Sequence, residues 1–276
     1  RSAITSTLPA PIAKRLRAVK QELLEHRDWI DESEFIAGLA SARVNPRRAV
    51  LVDVGSHFGA VTSVFLNMGW SVVAYEPDPA NRERFERNVG SHDRVKLSPA
   101  AVSDKPAESV SLFTSQVSKG ISTLAAFHDS HQPTARVNVV TLAEDLRSRG
   151  VANVDFLKID IEGFDFFALK GFDWTYAPSF VLYEFEDRKT VPLGYSLSDS
   201  SSFVAAHGYQ LVYSVWEPIV EYGMRHRWRG LFSTPPSDIA VCWGNVLCFR
   251  DPEDASRCVQ RFGSRSRRVL NRLQHG

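Results

Sequence analysis

The chain has 276 residues, 43% of them hydrophobic and 24% charged, a balance that supports one large globular domain with decorations and excludes collagen-like, coiled-coil and wholly disordered chains. The 33 Lys and Arg against 32 Asp and Glu leave a net charge of +1, so the molecule as a whole has no electrostatic pull toward nucleic acid or an anionic membrane. Cys242, Cys248 and Cys258 lack metal-ligand spacing and predict free thiols; with no apolar run of ~18 residues and no signal-peptide core, the expectation is a cytoplasmic protein without a transmembrane segment.

Ile12, Leu16, Val19, Leu23 and Ile30 recur at helix spacing, and a second short helix is expected over Glu32 to Ala42, before the Asn45-Pro46 break. Residues 1–48 therefore read as a helical extension, either packed on the main domain or offered to a second copy or partner. From residue 49 strands alternate with helices: AVLVDVG (49–55), a helix over 60–70, SVVAYEP (71–77), a helix over 79–89, and VKLSPAAV (95–102). VSLFTS (110–115) is a short addition, 116–133 is polar and aperiodic, and RVNVV leads into a helix ending at Gly150. VDFLKIDIEG (154–163), FDFFALKGF, SFVLYEFE (179–186), a helix near Ser200 to His207, YQLVYSVWE (209–217) and DIAVCWGNVLCFR (238–250) complete the domain, with Cys242 and Cys248 on one strand. The segment between the last two strands reads as a loop, so this pair should be antiparallel. The expected fold is α/β: a doubly wound, mostly parallel seven-stranded sheet with a terminal antiparallel hairpin, plus N-terminal helices and a basic C-terminal helix. In residues 251–276 the arginines at 257, 261, 265, 268 and 272 oppose Val259, Phe262, Val269 and Leu273, and counted from Arg250 seven arginines face three acids. That pattern is a solvated helix face or a weak contact to a membrane surface or partner.

In an open α/β sheet, ligands lie beyond the carboxyl ends of the strands. Four motifs fall there. DVGSHFG carries Asp53, Gly55 and Gly59, but Asp53 and Phe58 stand where a dinucleotide fingerprint would have its outer glycines. A pyrophosphate is disfavoured beside Asp53, whereas a ligand with an amino group and a sulfonium is suited to it. Glu76 ends the second strand and can accept from both hydroxyls of a ribose, or simply precede a helix N-terminus. Ser103 and Asp104 offer short polar chains to an adenine edge, or form an ordinary turn before Lys105-Pro106. In DFLKIDIEGFD, strand alternation puts Lys158, Asp160 and Glu162 on one face. Three charges on a buried strand are costly unless paired or used.

DVGSHFGAVT, AYEPDPANRERFERNV, AVSD, VVTLAEDL, VDFLKIDIEGFDFFALKG and WGNVLCFR, in this order, resemble the FkbM family of methyltransferases across residues 50–250. The resemblance implies a class I, Rossmann-like methyltransferase domain (49–250) with S-adenosyl-L-methionine as cofactor. It also implies transfer of the methyl group to a hydroxyl of a sugar or natural product. By position, Asp53, Gly55 and Gly59 would hold the methionine half with Ser56 beside them. Glu76, followed by Pro77, would hold the ribose, Ser103 or Asp104 the adenine, and Asp160 the floor of the transfer site. The chain departs from the family pattern at Ala143 and at Asp165, where an acid and a Glu are usual.

An alcohol is a poor nucleophile while protonated, so a base must take its proton during attack. The candidates are Asp160, then Glu162, with His57 behind them; Glu184 lies where it could touch substrate or pair with a nearby cation. No metal is expected. Two other readings stand beside this one: an NAD(P)-dependent oxidoreductase, and a methyltransferase-like domain that binds without catalysis.

Overall fold

Apolar runs too continuous to alternate in and out build the middle of the molecule. The computed structural model describes residues 32–41, 44–115, 122–125, 129–219 and 226–261. The chain runs α1 (Glu32–Ala40), β1 (Val50–Val54), α2 (Ala60–Asn67), β2 (Ser71–Tyr75), α3 (Pro79–Val89) and β3 (Val95–Ser98). It continues through β4 (Ala101–Val102), β5 (Ala107–Ser115), β6 (His131–Val140), α4 (Leu142–Ser148), β7 (Phe156–Ile159) and α5 (Asp165–Lys170). Then come β8 (Phe180–Phe185), α6 (Asp187–Thr190), α7 (Leu197–Ala206), β9 (Gln210–Trp216), β10 (Trp228–Phe232) and β11 (Trp243–Phe249), with helix α8 over 252–261. The expected helix of residues 12–30 and the tail beyond Arg261 lie outside the described residues.

The main sheet has the order β10-β9-β11-β8-β7-β1-β2-β3. β3, β2, β1, β7 and β8 pair in parallel, and β11 runs antiparallel between β8 and β9. Leu51, Val52, Phe156, Leu157 and Ile159 on the two central strands have no exposed surface, as a sheet covered on both faces requires. β1 lies between β2 and β7, so the chain leaves it toward one side and later returns on the other. That reversal opens a crevice at the carboxyl ends of these three strands.

The structure corrects the expectation in three places. The main sheet has eight strands rather than seven, because Trp228–Phe232, expected as loop, pairs with β9 as an antiparallel edge with a register shift between Trp228 and Gly230. The run 95–102 is two strands: β3 pairs with β2 and β4 with β6, and Pro99 between them has no N–H with which to continue a ladder. β4, β6 and β5 form a separate three-stranded sheet. Finally, residues Ile239–Val241 make a 3-10 turn, so Cys242 precedes β11 instead of sharing it with Cys248. All three thiols are free and buried. Among the described residues no helix is long and apolar enough to cross a membrane.

Helix α1 is fixed to the antiparallel end of the sheet by a buried polar network. Glu32 Oε1 accepts from Ser214 Oγ at 2.5 Å and Trp216 Nε1 at 3.0 Å, and Ser214 Oγ accepts from Trp228 Nε1 at 2.9 Å. Glu32→Ala strands these donors away from water, and should lower stability by about 2–3 kcal/mol. Denaturant unfolding will read this as a lower midpoint at unchanged slope; an unmoved midpoint would mean that the network contributes nothing to stability. On the other flank, α8 buries Asp254 and Cys258, Arg257 pairs with Glu253 at 3.2 Å, and the Arg261 guanidinium packs over Gly38 of α1.

Candidate active site

The turn after β1 is shaped by neighbours within the chain. The N–H groups of Gly55 and Ser56 both donate to the Tyr75 carbonyl at 3.0 Å, and Gly59 N–H donates to Ser56 O at 2.8 Å. Gly55 has φ +76°, and a Cβ there would lie 1.9 Å from the carbonyl oxygen of Asp160. At Gly59, φ +81°, a Cβ would stand 2.4 Å from Val89. One glycine thus lets β1 and β7 leave the sheet side by side, and the other lets α2 begin against α3.

Glu76 is 4% exposed. Its Oε2 accepts from His57 N at 2.9 Å; its Oε1 accepts from Asp78 N at 2.9 Å and more weakly from Asn81 Nδ2 at 3.4 Å. Burial pushes its carboxyl up to about 7 against the lowering effect of these donors. A carboxylate offers about four lone-pair positions, so Oε2 retains one for a hydroxyl. The backbone carbonyls of Glu76 and Pro77 are both taken by Arg82, at 3.0 and 2.7 Å. His57, at φ 49°, stacks on Phe58 at 3.5 Å. Its role in the structure is to present its N–H to Glu76.

Asp53 and Lys158 are register partners on β1 and β7. Asp53 is wholly buried, accepts from Thr62 Oγ1 at 2.7 Å and has Lys158 Nζ at 3.4 Å. Lys158 also donates to the Gly55 carbonyl at 2.8 Å and lies 3.7 Å from Asp160. Burial opposes its charge, but Asp53 and Asp160 outweigh burial and hold the ammonium pKa above its ordinary value. Asp53 is thus held wholly inside the chain, between Thr62 and Lys158.

Strand alternation does not carry Glu162 onto this face. β7 stops at Ile159, and Glu162 takes φ 55°. The acids still converge, because oxygens of Asp160, Glu162 and Glu184 lie within 4.8 Å of one another. Their surroundings differ. The Asp160 side chain is 47% exposed, whereas Glu162 and Glu184 are 12% and 10% exposed and pair with Lys189 at 2.5 and 3.6 Å. Burial pushes the Glu184 carboxyl well above its usual range. Asp165, buried beneath, accepts from the N–H groups of Gly163 and Glu184; burial, with Asp160 and Glu162 nearby, pushes it up to about 7.

Ser103 and Asp104 have other contacts. Asp104 pairs with Lys170 at 3.3 Å, and the Ser103 carbonyl packs where a Cβ on Gly171 would meet it at 2.3 Å. Both residues thus fasten the small sheet to the far end of α5, about 9 Å of helix from Asp165. Arg229 pairs with Asp238 at 2.7 Å, and Trp228 is buried in β10 with its Nε1 on Ser214 Oγ. Four contributors are not marked by any motif. Thr62 caps Asp53; Thr123 donates to the Glu162 carbonyl at 3.2 Å while Ser122 reaches Asp78 at 3.3 Å; and Lys189 sits among the acids. Only the acid-base run EFEDRK signals the last, and such runs ordinarily face solvent.

A parallel sheet with a strand inserted antiparallel before its last pair, and carboxylates at the ends of β1, β2 and β7, defines a class I methyltransferase rather than a nicotinamide dehydrogenase. The family described as methyltransferase FkbM domain matches residues 53–211. The chain belongs to this family of S-adenosylmethionine-dependent methyltransferases. A search of curated proteins returns no match. Solved structures of similar outline include a precorrin-6y C5,15-methyltransferase from Geobacter metallireducens (TM-score 0.41, 11% identity, covering 78% of this chain and 86% of that one). Another is a TehB-like SAM-dependent methyltransferase from Corynebacterium glutamicum (0.40, 11%, 87% and 100%). A third is a magnesium protoporphyrin IX methyltransferase from Synechocystis with bound SAM (0.40, 8%, 89% and 86%).

Proposed function

We propose that the chain methylates a hydroxyl oxygen of a small molecule, a sugar or another natural product, with Asp160 receiving the hydroxyl proton. The observation that carries this reading is the contrast among the clustered acids: Asp160 is half-exposed at the end of β7, while Glu162 and Glu184 are buried against Lys189. The donor set suits the cofactor. Glu76 keeps an acceptor position for a ribose hydroxyl, and Asp53 and Asp160 share the single Lys158 beside the Gly55 turn, in a place suited to a cationic ligand.

When bound, S-adenosylmethionine supplies an electrophilic methyl on a positively charged sulfur. The chain's own work is alignment and proton transfer. The Gly55–Gly59 turn and Glu76 hold the ligand at the ends of β1 and β2. Lys158, bonded to the Gly55 carbonyl, ties that turn to the strand carrying Asp160. Asp160 takes the proton from the acceptor oxygen as the new carbon–oxygen bond forms, since a neutral alcohol attacks poorly. The buried free thiols support a reducing, cytoplasmic setting. Isotope-labelled cofactor incubated with extracts, followed by mass spectrometry, tests the acceptor class: a label on oxygen supports the reading, and a label confined to nitrogen or carbon overturns it.

Glu76 adds a pH dependence. Its folded-state carboxyl sits at about 7 against an ordinary 4.5, so between those values the folded chain keeps a proton that the unfolded chain has lost. The stabilisation from that proton is full below the lower value and fades as pH rises toward the upper one. Ribose binding to an ionised carboxylate runs the other way. Calorimetry should show S-adenosylhomocysteine binding tighten by up to about tenfold between about pH 6 and pH 8. Glu76→Gln should bind weakly with no such slope, and a matching slope in that variant would exclude Glu76 as its source.

A further inference from the structure

One buried cation sits among the acids of the site. Lys189, on α6 just after β8, has a side chain 3% exposed, and its Nζ lies 2.5 Å from Glu162, 2.8 Å from Glu186 and 3.6 Å from Glu184. The three acids come from different segments: the turn after β7, the residue preceding α6, and β8 itself. The ammonium donates a hydrogen bond to Glu162 and acts on Glu184 and Glu186 by its charge, as a compact point charge can. Gly163 follows Glu162 with φ +95°, and a Cβ there would meet the Lys189 Cβ at an ordinary 3.6 Å.

We propose that Lys189 is a positioning residue for the reaction: by pairing with Glu162 it turns that carboxylate inward and leaves Asp160 as the acid that faces the acceptor. The role given to Asp160 rests on the methyl-transfer reading above; the pairing does not. Acids within 4.8 Å of one another repel when all are charged, and without a counter-ion they share protons and titrate as a group. Asp160 belongs to that group. Besides Lys189, Glu162 faces Asp160 from its own turn, Asp165 from α5, Glu184 from β8 and Glu186 from the segment before α6. Lys158 lies beyond Asp160, and His226, ahead of β10, feels both Glu186 and Lys189. Burial, the largest influence, leaves the Glu162 carboxyl raised even though Lys189 lowers it, so loss of the lysine leaves burial and the neighbouring acids to act alone. A protonated Glu162 then becomes a hydrogen-bond donor beside Asp160 instead of a partner for the lysine, and competes with the alcohol for the Asp160 oxygen.

Carboxyl carbon resonances of the full chain, with S-adenosylhomocysteine added, give the titration of Glu162 directly. In the parent protein Glu162 should be ionised at about pH 7, with Lys189→Met moving its midpoint up by about 1–3 pH units and Lys189→Arg, which keeps the charge, moving it much less. The acid limb of turnover should shift in the same order. A Glu162 that is protonated at neutral pH in the parent protein, or a Met variant that titrates like the parent, overturns the proposal. Should the Met variant fail to fold, the parent and Arg titrations decide by themselves. None of these titrations needs an acceptor, so they stay distinct from the methyl-transfer reading, which fails separately if Asp160 proves dispensable.

Discussion

Asp160→Asn should lower turnover by about 10²–10⁴-fold on any acceptor that the parent enzyme methylates, the usual worth of a positioned base. The change keeps the size and shape of the side chain and removes only its ability to take a proton. Asp160 is half-exposed, and its ion-pair partner Lys158 is also held by Asp53 and by the Gly55 carbonyl. The variant should therefore fold normally and bind S-adenosylhomocysteine within a few-fold of the parent by calorimetry. Full activity in Asp160→Asn would remove the base from this position. Loss of cofactor binding together with activity would place Asp160 in the cofactor site instead.

Gly55→Ala should be among the most destabilising single substitutions in the domain. The added carbon would stand 1.9 Å from the Asp160 carbonyl oxygen at a backbone φ of +76°, so both strain and overlap act, and neither neighbour is a flexible side-chain end. A loss of more than about 3 kcal/mol is expected, with cofactor affinity falling because the β1 turn and the β7 turn are forced apart. Gly90 supplies the control. It has φ +72° with ψ −177°, backbone space essentially confined to glycine, and a Cβ there would have nothing within 4 Å of it, so Gly90→Ala carries the conformational cost alone, about 1–3 kcal/mol. Denaturant unfolding of the two variants separates overlap from strain. Equal losses would show that the turn yields and that the closeness of Gly55 to Asp160 is incidental.

The legible parts of the molecule are those whose requirements are local. β1 and β7 read as buried strands because both faces are covered and the charges they carry, Asp53 and Lys158, each stand one residue before the strand's end. Glu76 and Asp160 are legible for the same reason: an acid directly after an apolar run marks a strand end. β10 stays hidden because Arg227 and Arg229 interrupt Trp228, Leu231 and Phe232, and its pairing with β9 depends on a chain reversal that no short window contains. The small sheet is only half visible in sequence, since β4 is two residues long and borrows its partner from β6, nearly forty positions later. Lys189 is illegible in a stronger sense. Its neighbours in sequence are Asp187, Arg188 and Thr190, ordinary surface composition, and only the return of β7 beside β8 brings Glu162 to it. The closest contacts of Gly55 and Gly59 are likewise tertiary, so the chain's own packing requires both glycines in addition to any ligand the turn receives.

The placement of β11 bears on how the protein is made. It is the last strand in chain order, yet it lies inside the sheet, bonded to β8 on one side and β9 on the other. During synthesis both of those strands leave the ribosome with an open edge, and the hairpin of β9 and β10 has nothing to join until residues 243–249 arrive. Unpaired edges of this kind invite pairing between chains. The interval between residue 216 and residue 249 is thus the period in which a nascent chain most needs a chaperone, and a stop anywhere within it would release a polypeptide with nearly the whole site encoded and no means of closing the sheet that holds it.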